Sequence, residues 1–318
     1  FRERGIAVAI VAVTIVSIGI GTLQVAGGAS AYFYRITNHG VAVGVFANAN
    51  HNATLLLVCI PFMAALQQAL LEGRRSPHSA SAIRLFAGAV FLVILTGLLI
   101  NGSLAGLGLG VPVALVTGLV FSRTRMRDRR PLVRRGMVVA TLLVSVAAIV
   151  AIVFGPFGNN LFGEQTSNAA LSRQTSFALT YRAALEYFPV GSGIGSFQPI
   201  YRMQEPLASV GTTFMNHAHN DWLELLLETG AVGIALTASF LTWWLVRVRM
   251  IWRAEVPDPF AQAASIATAV MMLHSLVDYP LRTAALSVAF AACLGLMSGA
   301  RPHRRKQRVP PSTRHLTL

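Results

Sequence analysis

Charge is what this chain has least of. Asp, Glu, Lys and Arg make up 12% of its 318 residues, where soluble globular domains carry about 25%. The deficit accompanies 54% hydrophobic residues and a mean hydropathy of +0.59, which excludes an ordinary water-soluble domain. Cysteine is nearly absent: Cys59 and Cys293 both lie in apolar runs, against a disulfide scaffold and against a cysteine-based metal site. Lysine is scarcer still, with Lys306 alone, so the cations are arginines. No internal repeat is visible. No signal peptide with a cleavage site is visible in the sequence. The chain opens on Phe1 and turns apolar almost at once, so an N-terminal portion of a longer protein is expected to be missing.

What is present is a series of apolar runs of membrane-spanning length, about 20 residues for a helix. Eight spans are predicted, at 6–26, 52–71, 84–101, 104–121, 137–155, 230–246, 261–278 and 283–299. The third and fourth meet at Asn101-Gly102-Ser103, which predicts a tight hairpin. Gly106, Gly108 and Gly110 would let those two backbones approach closely. The fold class is therefore an all-α polytopic membrane protein with one large outer loop. Its divisions are 1–155 (five spans), 156–229 (loop), 230–299 (three spans) and 300–318 (a basic tail, read as disordered).

The formal net charge of +14 would suit a nucleic-acid binder, but its distribution points elsewhere. Arg2 and Arg4, then Arg74, Arg75 and Arg84, then seven arginines from Arg123 to Arg135, then Arg247, Arg249 and Arg253, then the tail all fall on one side if the eight spans are real. That is the positive-inside pattern, so both ends are expected in the cytoplasm and no nucleic-acid partner is expected. The opposite side receives 27–51, two short turns and the 156–229 loop with Arg173, Arg182, Arg202, His217 and His219. Chemistry on that side would lack cytosolic ATP and nucleotide sugars, and would need an already activated substrate.

The most informative stretch runs from His219 to Gly233. If residues 220–230 are helical, Asp221, Glu224 and Glu228 share one face at i, i+3 and i+7. Ionisable groups near lipid are expensive and mark working sites. His219, as an imidazole, could accept a proton from a sugar hydroxyl; the alternative is a polar helix end with His219 beside its cap. His217, His219 and Asp221 approximate a zinc signature, but Trp222 stands where a ligand is needed, and positions two apart do not face together on a helix. The glycines of Pro189-Val190-Gly191-Ser192-Gly193-Ile194-Gly195-Ser196 could present amides to a phosphate, or form a flexible turn; Ser196 departs from a dinucleotide motif. Arg182 and Arg173, ahead of Arg202, suit a diphosphate through their bidentate fork. His274, Asp278 and Arg282, at i, i+4 and i+8, read as a polar clamp pairing within itself, or as a second acid/base or phosphate site.

The His-Asn pair at 219–220 followed by Gly230-x-x-Gly233 resembles the signature of bacterial O-antigen ligases and lipid-linked polysaccharide polymerases. Gly44-Val45-Phe46-Ala47-Asn48-Ala49-Asn50 and Pro189, Gly191, Gly193 and Phe197 resemble two further landmarks of that family. A Ser-Arg landmark departs, since Ser103 is followed by Leu104; Arg35 or Arg282 could replace the missing arginine. The resemblance implies a membrane-embedded, GT-C-like glycosyltransferase architecture in the bacterial inner membrane with a periplasmic site. It implies transfer from an undecaprenyl-diphosphate-linked glycan to lipid A-core or a growing polysaccharide, with membrane lipid around it and no cofactor or metal. His219, Asn220 and Glu224 would be catalytic. Arg35, Arg173, Arg182, Arg202, Gly191, Gly193, His274, Asp278 and Arg282 would bind donor or glycan. The alternative is a transporter or flippase, although such proteins often show repeated halves around a midplane site.

Overall fold

The computed structural model describes residues 2–72, 76–121, 139, 173–207, 210 and 215–300. All regular structure among them is helical. In chain order the helices are α1 (Arg2–Gly27), α2 (Ala49–Leu71), α3 (Pro77–Asn101), α4 (Leu104–Phe121), α5 (Arg173–Glu186), α6 (Phe197–Gln204), α7 (Asp221–Arg253), α8 (Pro259–His274) and α9 (Ala284–Gly299).

Helix α2 is the axis of the bundle. Its residues are buried almost without a break from Ala49 to Ala65, and α8 is buried in the same way. A helix apolar on every side has no solvent face to offer; here both are wrapped by others. Leu56, Leu57, Ile60 and Phe62 of α2 join Ala263, Ala267 and Met271 of α8 in one core with Ile94 of α3 and Met297 of α9. Around this pair α1, α3, α4, α7 and α9 leave apolar side chains such as Val16, Leu92, Leu236 and Val288 exposed. In a chain this apolar, that outer surface is the one lipid covers. Arg247 closes one end, donating to the carbonyls of Met297, Ser298 and Ala300, which would otherwise be orphaned at the end of α9.

Four described helices are long and apolar enough to cross a membrane: the α1 segment Glu3–Ala31, Ala49–Leu71, Pro77–Asn101 and Asp221–Arg253; Leu104–Gly118 and Ala284–Gly299 are shorter apolar helices. The chain is a multi-pass membrane protein. The predicted fifth span at 137–155 apart from residue 139, the arginine-rich loop before it, residues 156–172 and the basic tail lie outside the described residues.

Several boundaries differ from the sequence reading. The helix that carries the sixth span begins before it: α7 starts at Asp221 and passes through a kink at Gly230 (φ 56°, ψ −139°). The seventh stops at His274, four residues early, and Ser275–Tyr279 turn before a short 3₁₀ segment at Pro280–Arg282. The loop segment 173–204 contains two helices. Gly102 (φ 68°) ends α3 in the left-handed conformation that a tight connection requires. The tightest glycine contact of α4, however, is made with α2: a Cβ on Gly106 would lie 2.6 Å from the Ala53 Cβ, while one on Gly110 would meet Leu57 of α2 at 3.6 Å and Leu98 of α3 at 3.7 Å. Residue size is read at the interface that exists, and α2 is the helix against which α1, α3, α4 and α8 pack.

Candidate active site

The site forms where three remote stretches meet: 42–54 leading into α2, 215–230 leading into α7, and 274–282 after α8. Each is fixed locally first. Gly44 (φ 60°) carries the first stretch against α1, where a Cβ would fall 2.1 Å from Ser17 Oγ. Gln24 bonds both the amide and the carbonyl of Gly44, and Ser17 donates to Asn52. Asn101 donates to the carbonyls of Ala42 and Ala49, and Ser103 Oγ donates to Asn50 Oδ1 at 2.6 Å. Ser103, the departing landmark, thus orients Asn50.

The second stretch enters α7 through a left-handed His219 (φ 53°), a conformation uncommon outside glycine and strained for most side chains. Asn220 caps the helix, its Oδ1 accepting from the Leu223 amide at 3.0 Å, while its Nδ2 donates to the Leu276 carbonyl. The Asn220 side chain is therefore engaged at both ends by the fold. Glu224, 1% exposed, accepts from the Ala218 amide at 2.8 Å and holds His217 Nδ1 at 2.9 Å.

The imidazoles surround one ring. Tyr279 has His217 at 4.4 Å, His51 at 4.8 Å and His219 at 4.9 Å between centroids. Its hydroxyl is pushed above the ordinary tyrosine range by burial and then by the Asp278 charge, with hydrogen bonds from Asn216 and Asn48 pulling the other way. It therefore stays a neutral phenol. Beside it Asp278, fully buried, takes His219 Nδ1 at 3.2 Å, accepts from Asn50 Nδ2 and from the Tyr279 amide, and has His51 Nε2 at 3.8 Å. His274 Nδ1 lies 2.7 Å from Thr54 Oγ1.

Arg282 binds the acidic face of α7. Its Nε is 3.5 Å from Asp221, Nη1 3.1 Å from Glu224 and Nη2 3.0 Å from Glu228. The i, i+3, i+7 spacing thus does place the three carboxylates on one face. In the 274–282 stretch, His274, Asp278 and Arg282 reach beyond their own segment through their side chains, to Thr54 of α2, to His219 and to α7. Buried charges need opposite charges, and α7 supplied three.

The glycine loop lies against the α7 kink. Ser192 and Gly193 donate to the carbonyls of Leu227 and Glu228, Gly195 to Glu228 Oε1, and Pro189 accepts from Ala231. A Cβ on Gly191 would meet the Glu228 carbonyl at 2.6 Å, and one on Gly230 the Pro189 carbonyl at 2.2 Å. The loop supplies the bonds that a kinked helix loses. Gly191 and Gly193 are thus engaged with α7, and their amides do not form an open phosphate cradle.

Of the candidate arginines, Arg282 is joined to His217 through Glu224. Arg35 and Arg182 are exposed, in the 32–48 loop and on α5; Arg202 is exposed on α6; Arg173 opens α5. Asn50, His51, Thr54 and Tyr279 were missed by the sequence reading. One signal was available: Asn50, His51 and Thr54 put polar groups at the head of an otherwise apolar run. No group of three or more His, Cys, Asp or Glu side chains is arranged to hold a metal ion among the described residues.

Residues 89–238, from within α3 into α7, match the family model described as O-antigen ligase. Over that segment, a little under half of its length, the chain is similar to the O-antigen ligase family. No curated protein and no solved structure matches it. The similarity supports a glycan ligase or polymerase type of function, glycosyltransferase-like, with a lipid-linked glycan donor and a polysaccharide-type acceptor in general terms. The matched segment contains His219 and the acidic face of α7. Asn50, His51, Asp278 and Arg282 lie outside it.

Proposed function

We propose that this chain transfers a glycan from an undecaprenyl-diphosphate carrier to a hydroxyl of lipid A-core or of a growing surface polysaccharide. The site would face the periplasm from the inner membrane. The observation that carries the reading is the His219–Asp278 pair, buried on the carboxylate side and 20% exposed at the His219 side chain. With Nδ1 turned to the carboxylate, Nε2 is the ring nitrogen left to meet an acceptor, and the carboxylate both selects that tautomer and stabilises the imidazolium that forms.

In the proposed step the acceptor oxygen forms a bond to the anomeric carbon while His219 Nε2 takes the hydroxyl proton. The bond from that carbon to the diphosphate oxygen breaks, and the carrier diphosphate leaves with the electron pair. The diphosphate is already a good leaving group, so developing negative charge needs positive neighbours more than a proton. The acidic face of α7 makes the immediate surroundings of His219 better suited to sugar hydroxyls than to a diphosphate. The donor head group is therefore assigned to Arg182 and Arg202 on α5 and α6, with Arg173 and Arg35 as further candidates. Arg282, Gly191 and Gly193 become positioning residues, and His274 and Asn220 act through the fold.

The test is transfer by full-length protein in proteoliposomes, given a labelled undecaprenyl-diphosphate oligosaccharide and an acceptor glycolipid or glycan. Product should form without nucleotide and in excess EDTA. Strict dependence on ATP would support a transport reading instead, and EDTA inhibition reversed by one divalent ion would return the His217–His219–Asp221 group as a metal site.

A further inference from the structure

Helix α5 and the loop after it present Tyr181, Leu185, Phe188, Val190 and Ile194 on the surface, at 51% exposure or more, with Val190 at 80% and Ile194 at 88%. Large apolar side chains exposed together within one short segment mark a candidate interaction site. Residues 187–197 carry no charged side chain. The backbone of this loop is also unusually self-sufficient. The amides of Tyr187, Phe188, Gly191, Ser192, Gly193, Gly195 and Ser196 all donate within the protein. A loop so bonded can leave water without stranding those donors, which is the condition for entering an apolar phase.

Its position is fixed as well. The Pro189 carbonyl accepts from Ala231 and Gly191 abuts Gly230. Immediately beyond, α7 exposes Val232, Ile234 and Leu236, the first turns of its lipid-facing surface. The loop therefore sits level with the point where α7 enters the bilayer, and its apolar side chains continue that surface sideways. Tyr181 at the margin fits the headgroup level that tyrosines favour.

We propose that Tyr181, Leu185, Phe188, Val190 and Ile194 form a foot seated in the lipid of the membrane that α7 crosses. The occupant is bilayer lipid at the boundary between headgroups and acyl chains. The inference rests on the membrane-spanning character of α7 and not on the proposed chemistry. Its consequence for the site is depth: the loop is bonded to Leu227 and Glu228, so the foot sets the height of the acidic face above the lipid.

The test uses full-length protein in lipid nanodiscs, with an environment-sensitive fluorophore on a cysteine replacing Val190 or Ile194. Cys59 and Cys293 are fully buried and stay unlabelled, and the two sites are exposed enough to accept a probe without repacking. Doxyl lipids labelled at the shallow depth of an interfacial segment, ~5–10 Å, should quench both probes about twofold, while aqueous iodide has little effect. Efficient iodide quenching with no effect of doxyl lipid would overturn the foot. Protection from both quenchers would also overturn it, by showing that protein covers the surface.

Discussion

His219 Nδ1 lies 3.2 Å from Oδ1 of Asp278, across 59 residues of sequence. The contact joins the turn before α7 to the turn after α8, and Asn50 from the head of α2 holds the other Asp278 oxygen. A strained left-handed residue survives only where its surroundings over-determine it. Here the Asn220 cap, the Glu224 bond to Ala218 and the Asp278 contact all act on the same turn.

If Asp278 orients the base, Asp278→Asn should keep the fold and lose the chemistry. The isostere fits the space, but it no longer selects the tautomer or balances an imidazolium. Transfer should fall about 10²–10⁴-fold, the range of general base catalysis, at equal protein level. A rate within a factor of about two of the parent would show that the pair is structural only.

Arg282 discriminates between a clamp and a ligand site. Its guanidinium is surrounded by Asp221, Glu224 and Glu228, and removing one member of a buried charge network costs about 3–5 kcal/mol. Arg282→Met should therefore lower the unfolding temperature in detergent sharply, and should disturb His217 through Glu224. A stable variant with only a raised KM for the donor would assign Arg282 to the diphosphate instead.

The three loop glycines should differ from one another in a graded way. Gly230→Ala and Gly191→Ala would each push a Cβ into the partner's backbone, with contacts under 3 Å, at positive φ. Gly193 also has positive φ (102°) but open space around its Cβ position. Gly193→Ala should lose about 1–2 kcal/mol from backbone conformation alone, and the other two should fail to give folded protein. Equal effects at Gly191 and Gly193, measured by thermal unfolding, would contradict the packing of this loop on α7.

Local pattern carried the sequence reading as far as local pattern acts. The spacing of Asp221, Glu224 and Glu228 announces a shared helical face, but nothing near them announces Arg282, more than fifty residues on. The kink at Gly230 is hidden because residues on both sides suit a helix, and hydropathy marks only where the apolar part begins. Span 261–278 was drawn too long because Ser275–Asp278 stay mixed in polarity, while Pro280 ends the helical pattern only after them. His51 is the clearest loss. It stands with Asn50 and Thr54 at the head of an apolar helix, a polar group whose purpose shows only when Asp278 and Tyr279 are placed beside it. Arg173 and Arg182 ranked first on residue chemistry alone, and the fold joins Arg282 to His217 through Glu224.

The most direct measurement is glycan transfer by full-length His219→Ala in proteoliposomes with the undecaprenyl-diphosphate donor, at matched protein level and membrane insertion. Loss of the proposed base should lower the transfer rate by about 10²–10⁴-fold and leave the thermal unfolding of the membrane bundle nearly unchanged. Transfer close to the parent rate by well-folded His219→Ala protein would contradict the account at its centre.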